Sequence, residues 1–292
     1  MSRYRFMEAE RATFPVTILC RVLGVARSGY YAWQQRSVST RAQANQDLSE
    51  QIRLIHEGSR RTYGAPRVLA ELHASGTRCG SKRVARLMRT AGLVGRARRR
   101  RTRTTVVDPR QVPAPNLVAR DFHVTAPDRL WVGDLTYIPT WEGWLYLAVL
   151  LDASSRRVIG WSMADHLRTE LPLAALQHAL QQRRPPAGLV HHTDRGSQYT
   201  AVAYQEVLAS HQVIASMSRA GDCYDNALAE SFFATLKTEL IETQPWPTRR
   251  TAQQAIFEWI EVFYNRQRRH SALDYRTPLG FELERETEVT AA

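Results

Sequence analysis

The stretch LWVGDLTYIPTWEGWLYLAVLLDASSRRVIGW, residues 130–161, decides the fold. Its apolar and β-branched residues fall into short runs at Leu130–Ile138, Leu145–Asp152 and Arg156–Ala164. A turn at Trp141-Glu142-Gly143-Trp144 separates the first two, and two residues separate the last two. Strands joined this tightly form an antiparallel meander, because parallel neighbours need a crossover of about a dozen residues or more.

Outward from that meander, the spacing predicts a helix over 169–182 and a short strand at Leu189–His192. A helix at Ala201–Ser210 and a strand at Gln212–Met217 follow. Beyond the Gly/Asp/Asn loop Gly221–Asn226 comes a long helix to about Leu240. Pro245 and Pro247 set off a last helix over 249–264. Three antiparallel strands and then α-β-α-β predict an α/β fold, a ribonuclease-H-like core with a mixed five-stranded sheet flanked by helices.

Asp134 sits inside the first predicted strand, where a carboxylate is costly unless paired, hydrogen-bonded or metal-bound. Asp194 follows the fourth strand in HHTDRGSQYT (191–200). A parallel fourth strand beside the first brings its C-terminal end near Asp134. Glu230 lies on the long helix that the topology can swing against that edge. Carboxylates without cysteine ligands point to a hard cation, Mg²⁺ or Mn²⁺. Two ions can orient an attacking oxygen and stabilise a departing one at phosphorus. No shifted pKa is needed, since the charged form is the ligand form. By spacing alone Asp152, Asp165, Asp222 and Asp225 stay candidates as well. Lys237 follows Glu230 by seven residues, 20° short of two helical turns, and Asn226 precedes it by four, so the three share a face. His191 and His192 are adjacent in a strand and point to opposite sides, which leaves little room for a zinc site.

The 292 residues are 43% apolar, enough to bury a core. The longest apolar run, Leu145–Leu151, is too short to span a bilayer, and no secretory leader is legible, so a cytoplasmic protein is expected. Cys20, Cys79 and Cys223 stand apart and read as free thiols. Net charge is +12, unevenly placed: residues 1–120 hold 24 Lys/Arg against 7 Asp/Glu, and residues 121–292 hold 16 against 21. A basic front half suits a grip on a polyanion.

That front half reads as all-α. A short helical segment fills 1–44, with amphipathic pieces over 11–36 as a small helix-turn-helix or a two-helix cap. A helix-turn-helix-like basic module occupies 45–95, with helices at Asp47–His56, Pro66–Ala74 and from Ser81 to Gly92. Its last helix carries Lys82, Arg83, Arg86 and Arg89 as candidate DNA contacts. Arg96, Arg98, Arg99, Arg100, Arg101 and Arg103 begin a basic, proline-containing linker over 96–120. The expected order ends with a core and C-terminal helix over 121–284 and a tail from 285 to 292. Arg266, Arg268 and Arg269 form a local basic patch suited to phosphates.

Taken together, the 130–161 stretch, HHTDRGSQYT, SMSRAGDCYDNALAESFFATLKTELI (216–241) and YNRQRRHSALDYRTP (264–278) resemble the integrase core of bacterial insertion-sequence transposases. The resemblance is to the second reading-frame product of the insertion sequence three family. FPVTILCRVLGVARSGYYAW (14–33), YGAPRVLAEL and SKRVARLMRTAGLVG resemble its front half. The resemblance implies a catalytic, metal-holding triad of Asp134, Asp194 and Glu230, with 35 residues between the last two, and a basic residue at Lys237. It implies Mg²⁺-dependent cleavage at element ends and attack by the exposed 3′-hydroxyl. Implied partners are double-stranded DNA, the upstream reading-frame product, separate or fused by frameshift, and further copies of the chain, with the protein on the nucleoid. Thr193, where the family commonly has Ser, departs mildly. The alternatives are a ribonuclease H or structure-selective nuclease, and a DNA-binding regulator without catalysis.

Overall fold

A computed structural model describes residues 2–36, 39–96, 114–118, 122, 124–218 and 226–291. The expectations for Arg98, Arg99, Arg100, Arg101, Arg103, Asp222 and Asp225 fall outside these residues. The chain divides into two compact units, 1–54 and 55–292. The division falls inside one helix, neither at residue 44 nor in the 96–120 segment.

The first unit contains α1 (Arg3–Glu10), α2 (Val16–Leu23), α3 (Arg27–Gln34) and most of α4 (Thr40–Gly58). Met7 of α1 is buried with Leu19, Cys20 and Tyr30, and Tyr4 packs against them. Within the expected 1–44 helical segment, α1 turns Tyr4, Met7 and Glu8 to these residues, Glu8 accepting the Tyr30 hydroxyl at 2.6 Å. Gly24 ends α2 in the left-handed conformation that glycine adopts without strain.

In the second unit, α5 (Ala65–Ala74) begins with Pro66 in its first turn, and α6 (Ser81–Thr90) begins after Gly80 rather than with Ser81 as its cap. The sheet comprises β1 (Leu130–Thr140), β2 (Gly143–Asp152), β3 (Val158–Ala164), β4 (Val190–Thr193) and β5 (Ile214–Met217). Its order is β3-β2-β1-β4-β5. The β1–β2 and β2–β3 pairs are antiparallel, and the β1–β4 and β4–β5 pairs are parallel. This is the mixed five-stranded sheet expected.

Strand alternation sorts the core into two layers. Trp131, Ala148, Leu150 and Ile159 face α7 (Glu170–Arg183) and α9 (Val202–Ser210), which contribute Leu171, Ala175, Leu176, Ala179, Tyr204 and Leu208. On the other layer lie α10 (Ala227–Glu239) and α11 (Arg249–Glu258). The second of these runs on as a π-helical turn, Trp259–Tyr264. Phe232 packs edge-on against Trp259 and Tyr264 there.

Both sheet edges are occupied. Asn265 uses its Oδ1 and Nδ2 on the N–H and C=O of Val158 at the β3 edge. Beside β5, Met217 N–H donates to the Pro115 carbonyl and Leu117 N–H to Ser216 Oγ. Covered edges remove a template for edge-to-edge aggregation. The expected tail is instead part of a helix, α12 (Pro278–Ala291), with Pro278 opening it. Its Glu282 is buried, paired with Arg157 and Arg183, and accepts the Ser155 hydroxyl.

Gly160 sets how closely α7 approaches β3. A Cβ there would lie 2.3 Å from the Ala175 carbonyl oxygen and 2.7 Å from Ala179 Cβ. Gly160→Ala is therefore expected to destabilise the second unit by about 1–3 kcal/mol through overpacking, measurable as a lower urea midpoint. An unchanged midpoint would mean that α7 can move out without loss.

Candidate active site

The pairing of β1 with β4 fixes the centre of the site. Leu130 is opposite Val190 and Val132 opposite His192. β1 runs on past this pairing to Asp134 and Asp194 follows the last residue of β4, so both lie beyond the same end of the pairing, and the Asp194 charge acts on Asp134. Asp134 accepts the Leu135 N–H at 2.7 Å, and Asp194 accepts the Gly196 N–H at 2.9 Å. Gly133 permits the close approach, since a Cβ there would meet the His191 ring at 2.8 Å.

Both carboxylates sit above the ordinary carboxylate range. Burial raises Asp134 most, the Asp194 charge next and Glu230 further, with Lys237 acting in the opposite sense. Burial likewise raises Asp194. The expectation of unshifted carboxylates holds only with a cation present, because side-by-side anions in a desolvated niche repel. Tyr199, which sequence reading missed, is buried within electrostatic reach of both, and its phenol is held protonated by burial and by their charges. Its signal was its place in the same HHTDRGSQYT run.

Glu230 is exposed on α10, within electrostatic reach of Asp134. Among the described residues no three His, Cys, Asp or Glu side chains close around one point tightly enough to enclose an ion. The donor set nevertheless fits a hard divalent cation: oxygen ligands only, and a carboxylate pair whose repulsion a cation would remove. Raised folded-state values make these groups favour the fold at low pH, an advantage lost as pH rises through those values. Without divalent ions, Asp134→Asn is expected to melt higher than the natural chain at neutral pH, and the gap should close on acidification. Mg²⁺ at about a hundred times its Kd should add about 2.7 kcal/mol to the natural chain and much less to the variant. Equal Mg²⁺ shifts in a thermal melt would place the cation elsewhere.

Lys237 lies within reach of Asp134 and 5.2 Å from the centre of the Tyr137 ring. Tyr137 stacks edge-on against Trp144, and Trp141 beside them is 75% exposed. Asn226, directly before α10, is buried, and its Oδ1 has no partner among the described residues. Of the other carboxylates, Asp152 is buried and pushed up to about 6, chiefly by desolvation. It accepts N–H groups from Asp128, Ser154 and Ser155, a structural role. Asp165 is exposed after β3. Both histidines are buried, His191 hydrogen-bonded to Tyr204 and His192 to Ser216 and Ser218. Desolvation pushes His191 down to about 3, so it is neutral.

The expected basic patch near 266–269 is mostly spent on structure. Arg268 is buried and makes a two-pronged bond to Glu239, with 2.8 and 2.7 Å contacts. Arg269 makes another to Glu71 of α5. Arg67 reaches Glu239 at 3.5 Å, and the Tyr63 hydroxyl accepts the Arg269 N–H. Arg266 stays exposed. A run of arginines looks alike in sequence whether it meets phosphates or carboxylates; the carboxylates here are 29 and 198 residues away. Arg96 is fastened too, its N–H to the Thr62 carbonyl and its guanidinium to that of Thr238. On α6, Lys82, Arg86 and Arg89 are exposed and Arg83 half-buried, opposite Val84, Leu87 and Met88.

Comparison with known proteins bears on this geometry. Family models described as "Integrase core domain" match residues 124–223 and 211–278, and one described as "HTH-like domain" matches 43–101. The chain is 44% identical over 263 residues to the insertion element IS600 uncharacterized 31 kDa protein of Shigella sonnei, covering 90% of this chain and 97% of that one. It is 42% identical over 282 residues to transposase InsF for insertion sequence IS3A of Escherichia coli (strain K12), covering 96% and 98%. A likeness to the HTLV-2 integrase catalytic core in complex with magnesium, at 19% identity and TM-score 0.41 over 54% of this chain and 98% of that one, is too slight to argue from.

Proposed function

Since the chain belongs to the IS3 family of insertion-sequence transposases with an integrase core, we propose that Asp134, Asp194 and Glu230 are the residues with which it cleaves and rejoins DNA. The protein is a transposase: it cuts DNA at insertion-sequence ends and transfers the strand. What supports the assignment of residues is that Asp134 and Asp194 follow the same end of the β1–β4 pairing, with Asp194, Glu230 and Lys237 all acting on Asp134 electrostatically.

Asp134 and Asp194 would hold a divalent cation, Mg²⁺ with Mn²⁺ as substitute, and Glu230 would complete its ligands; two ions are part of the proposal. When bound, such ions supply Lewis acidity at the phosphodiester and lower the pKa of an attacking water or hydroxyl. Lys237, on the same side, meets the negative charge of the phosphate. Tyr199 keeps its proton and walls the niche from below. The exposed basic face of α6 grips DNA, with Lys82, Arg83, Arg86 and Arg89 against the backbone or groove. The upstream reading-frame product, an oligomer on DNA and a place on the nucleoid complete the reading. Among the described residues no helix is long and apolar enough to cross a membrane.

Labelled element ends, incubated with Mg²⁺ and the full chain, alone and fused to its upstream reading frame, test this directly. Cleaved 3′ ends and joined products are expected, and more of them from the fusion. Hydrolysis of an RNA strand without joining would make the chain a nuclease instead. No metal-dependent product in either form would leave it a DNA-binding regulator.

A further inference from the structure

A polar cavity of about 180 Å³ opens beside α10, with none of Asp134, Asp194 or Glu230 in its lining. Arg67, Arg156, Arg268 and His270 line it, with the hydroxyl residues Ser231 and Thr235 of α10. Its charge does not balance. Its three guanidiniums face two carboxylates: Glu239, which already makes both its short bonds to Arg268 and stands 3.5 Å from Arg67, and the buried Asp152, which acts on Arg156 electrostatically. Among the described residues, the Arg156 side chain donates to no carboxylate or carbonyl. Its backbone is held at φ +61°, in the left-handed region that a long side chain seldom adopts. That conformation belongs to the tight β2–β3 turn, in which the Arg156 N–H donates to the Asp152 carbonyl and the turn fixes where the side chain starts. His270 is driven well below its ordinary value by burial and then by Arg268, Arg67 and Arg156, so it adds no charge yet records how positive the cavity is.

We propose that this cavity binds one phosphate of the DNA backbone, with Arg156 as its cation and Ser231 as its hydroxyl donor. This rests on the transposase reading, from which the ligand class follows. Spread guanidiniums with hydroxyl neighbours recognise phosphoryl oxygens. The Thr235 hydroxyl gives its proton to the Ser231 carbonyl, which leaves Ser231 as the hydroxyl free to donate. Ser231 directly follows Glu230, so a phosphate seated here would position the strand along the helix that carries the third carboxylate.

The test is the salt dependence of duplex binding by the full chain, in EDTA so that no chemistry intervenes. Loss of one phosphate contact lowers the slope of log K against log[salt] by about 0.9 and the affinity by about eightfold at 0.1 M salt. Arg156→Gln should show both, equally on element-end and unrelated duplexes, and Arg156→Lys should recover much of the loss. Ser231→Asp, an exposed change that sets a negative charge at the rim, should lower the slope similarly and guards against a folding defect at Arg156. Slopes unchanged in folded Arg156→Gln and in Ser231→Asp would overturn the proposal. So would inorganic phosphate raising the melting temperature of the natural chain but not of Arg156→Gln while DNA slopes stay equal, for the cavity would then be a free-anion site. Absence of strand transfer by the natural chain would sink the transposase reading without touching these slopes.

Discussion

Asp134→Asn and Asp194→Asn are each expected to reduce strand transfer about a thousandfold while leaving duplex binding within about twofold. A bound divalent cation contributes several kcal/mol of charge stabilisation at the reacting phosphate, and each 1.4 kcal/mol or so is a factor of ten. An amide keeps the shape and one acceptor oxygen but removes the charge that holds the ion. The effects should not multiply in the double variant, because groups that act as a unit fail together. Glu230→Gln should follow the same pattern. Lys237→Ala should cost less, since it meets substrate as a single charge. The measurement is the initial rate of joining with labelled ends at saturating Mg²⁺. Equal yields from the natural chain and either Asp variant would remove the pair from the chemistry.

The largest stability effect is expected at Glu239. It is buried, and it neutralises Arg268 with two short bonds and Arg67 at longer range. Glu239→Ala strips both arginines of their carboxylate, and breaking a buried pair from one side costs about 3–5 kcal/mol. In a unit of this size that is a fall of about 10 °C in Tm. Arg268→Met should cost less, because Glu239 keeps Arg67. The double variant Arg268→Met/Glu239→Met should recover part of the loss, but Arg67 then stays uncompensated. Urea titrations of the four proteins check this order. A Glu239→Ala variant as stable as the natural chain would mean that water or a bound anion already screens these arginines.

The sheet was largely legible because its signals are local. Alternation and tight turns gave β1 to β3, and short apolar runs gave β4 and β5. The parallel β1–β4 neighbourhood followed from element order and placed Asp134 near Asp194. What the sequence hid depends on distant partners. Nothing in YNRQRRH distinguishes Arg266, exposed, from Arg268, whose carboxylate lies at the end of α10. Asn265 reads as a polar residue in a basic run, yet it closes the β3 edge. Helix α12 was obscured because its charged residues outnumber its buried ones, although Glu282, itself charged, is its deepest anchor. The ties between the 45–95 module and the core were hidden for the same reason: Arg269–Glu71 and Arg67–Glu239 join α5 to the core across long stretches of chain.

Those two ion pairs have a mechanical meaning. With α5 tied to the core and α6 packed on α5, the span between the basic face of α6 and the carboxylates is fixed in the free protein, like the jaws of a caliper set in advance. On the proposed reading, in which α6 grips DNA, the number of base pairs between that grip and the scissile bond is a dimension of the protein itself, and inserting half a helical turn of DNA there would turn the cut face away from its blade.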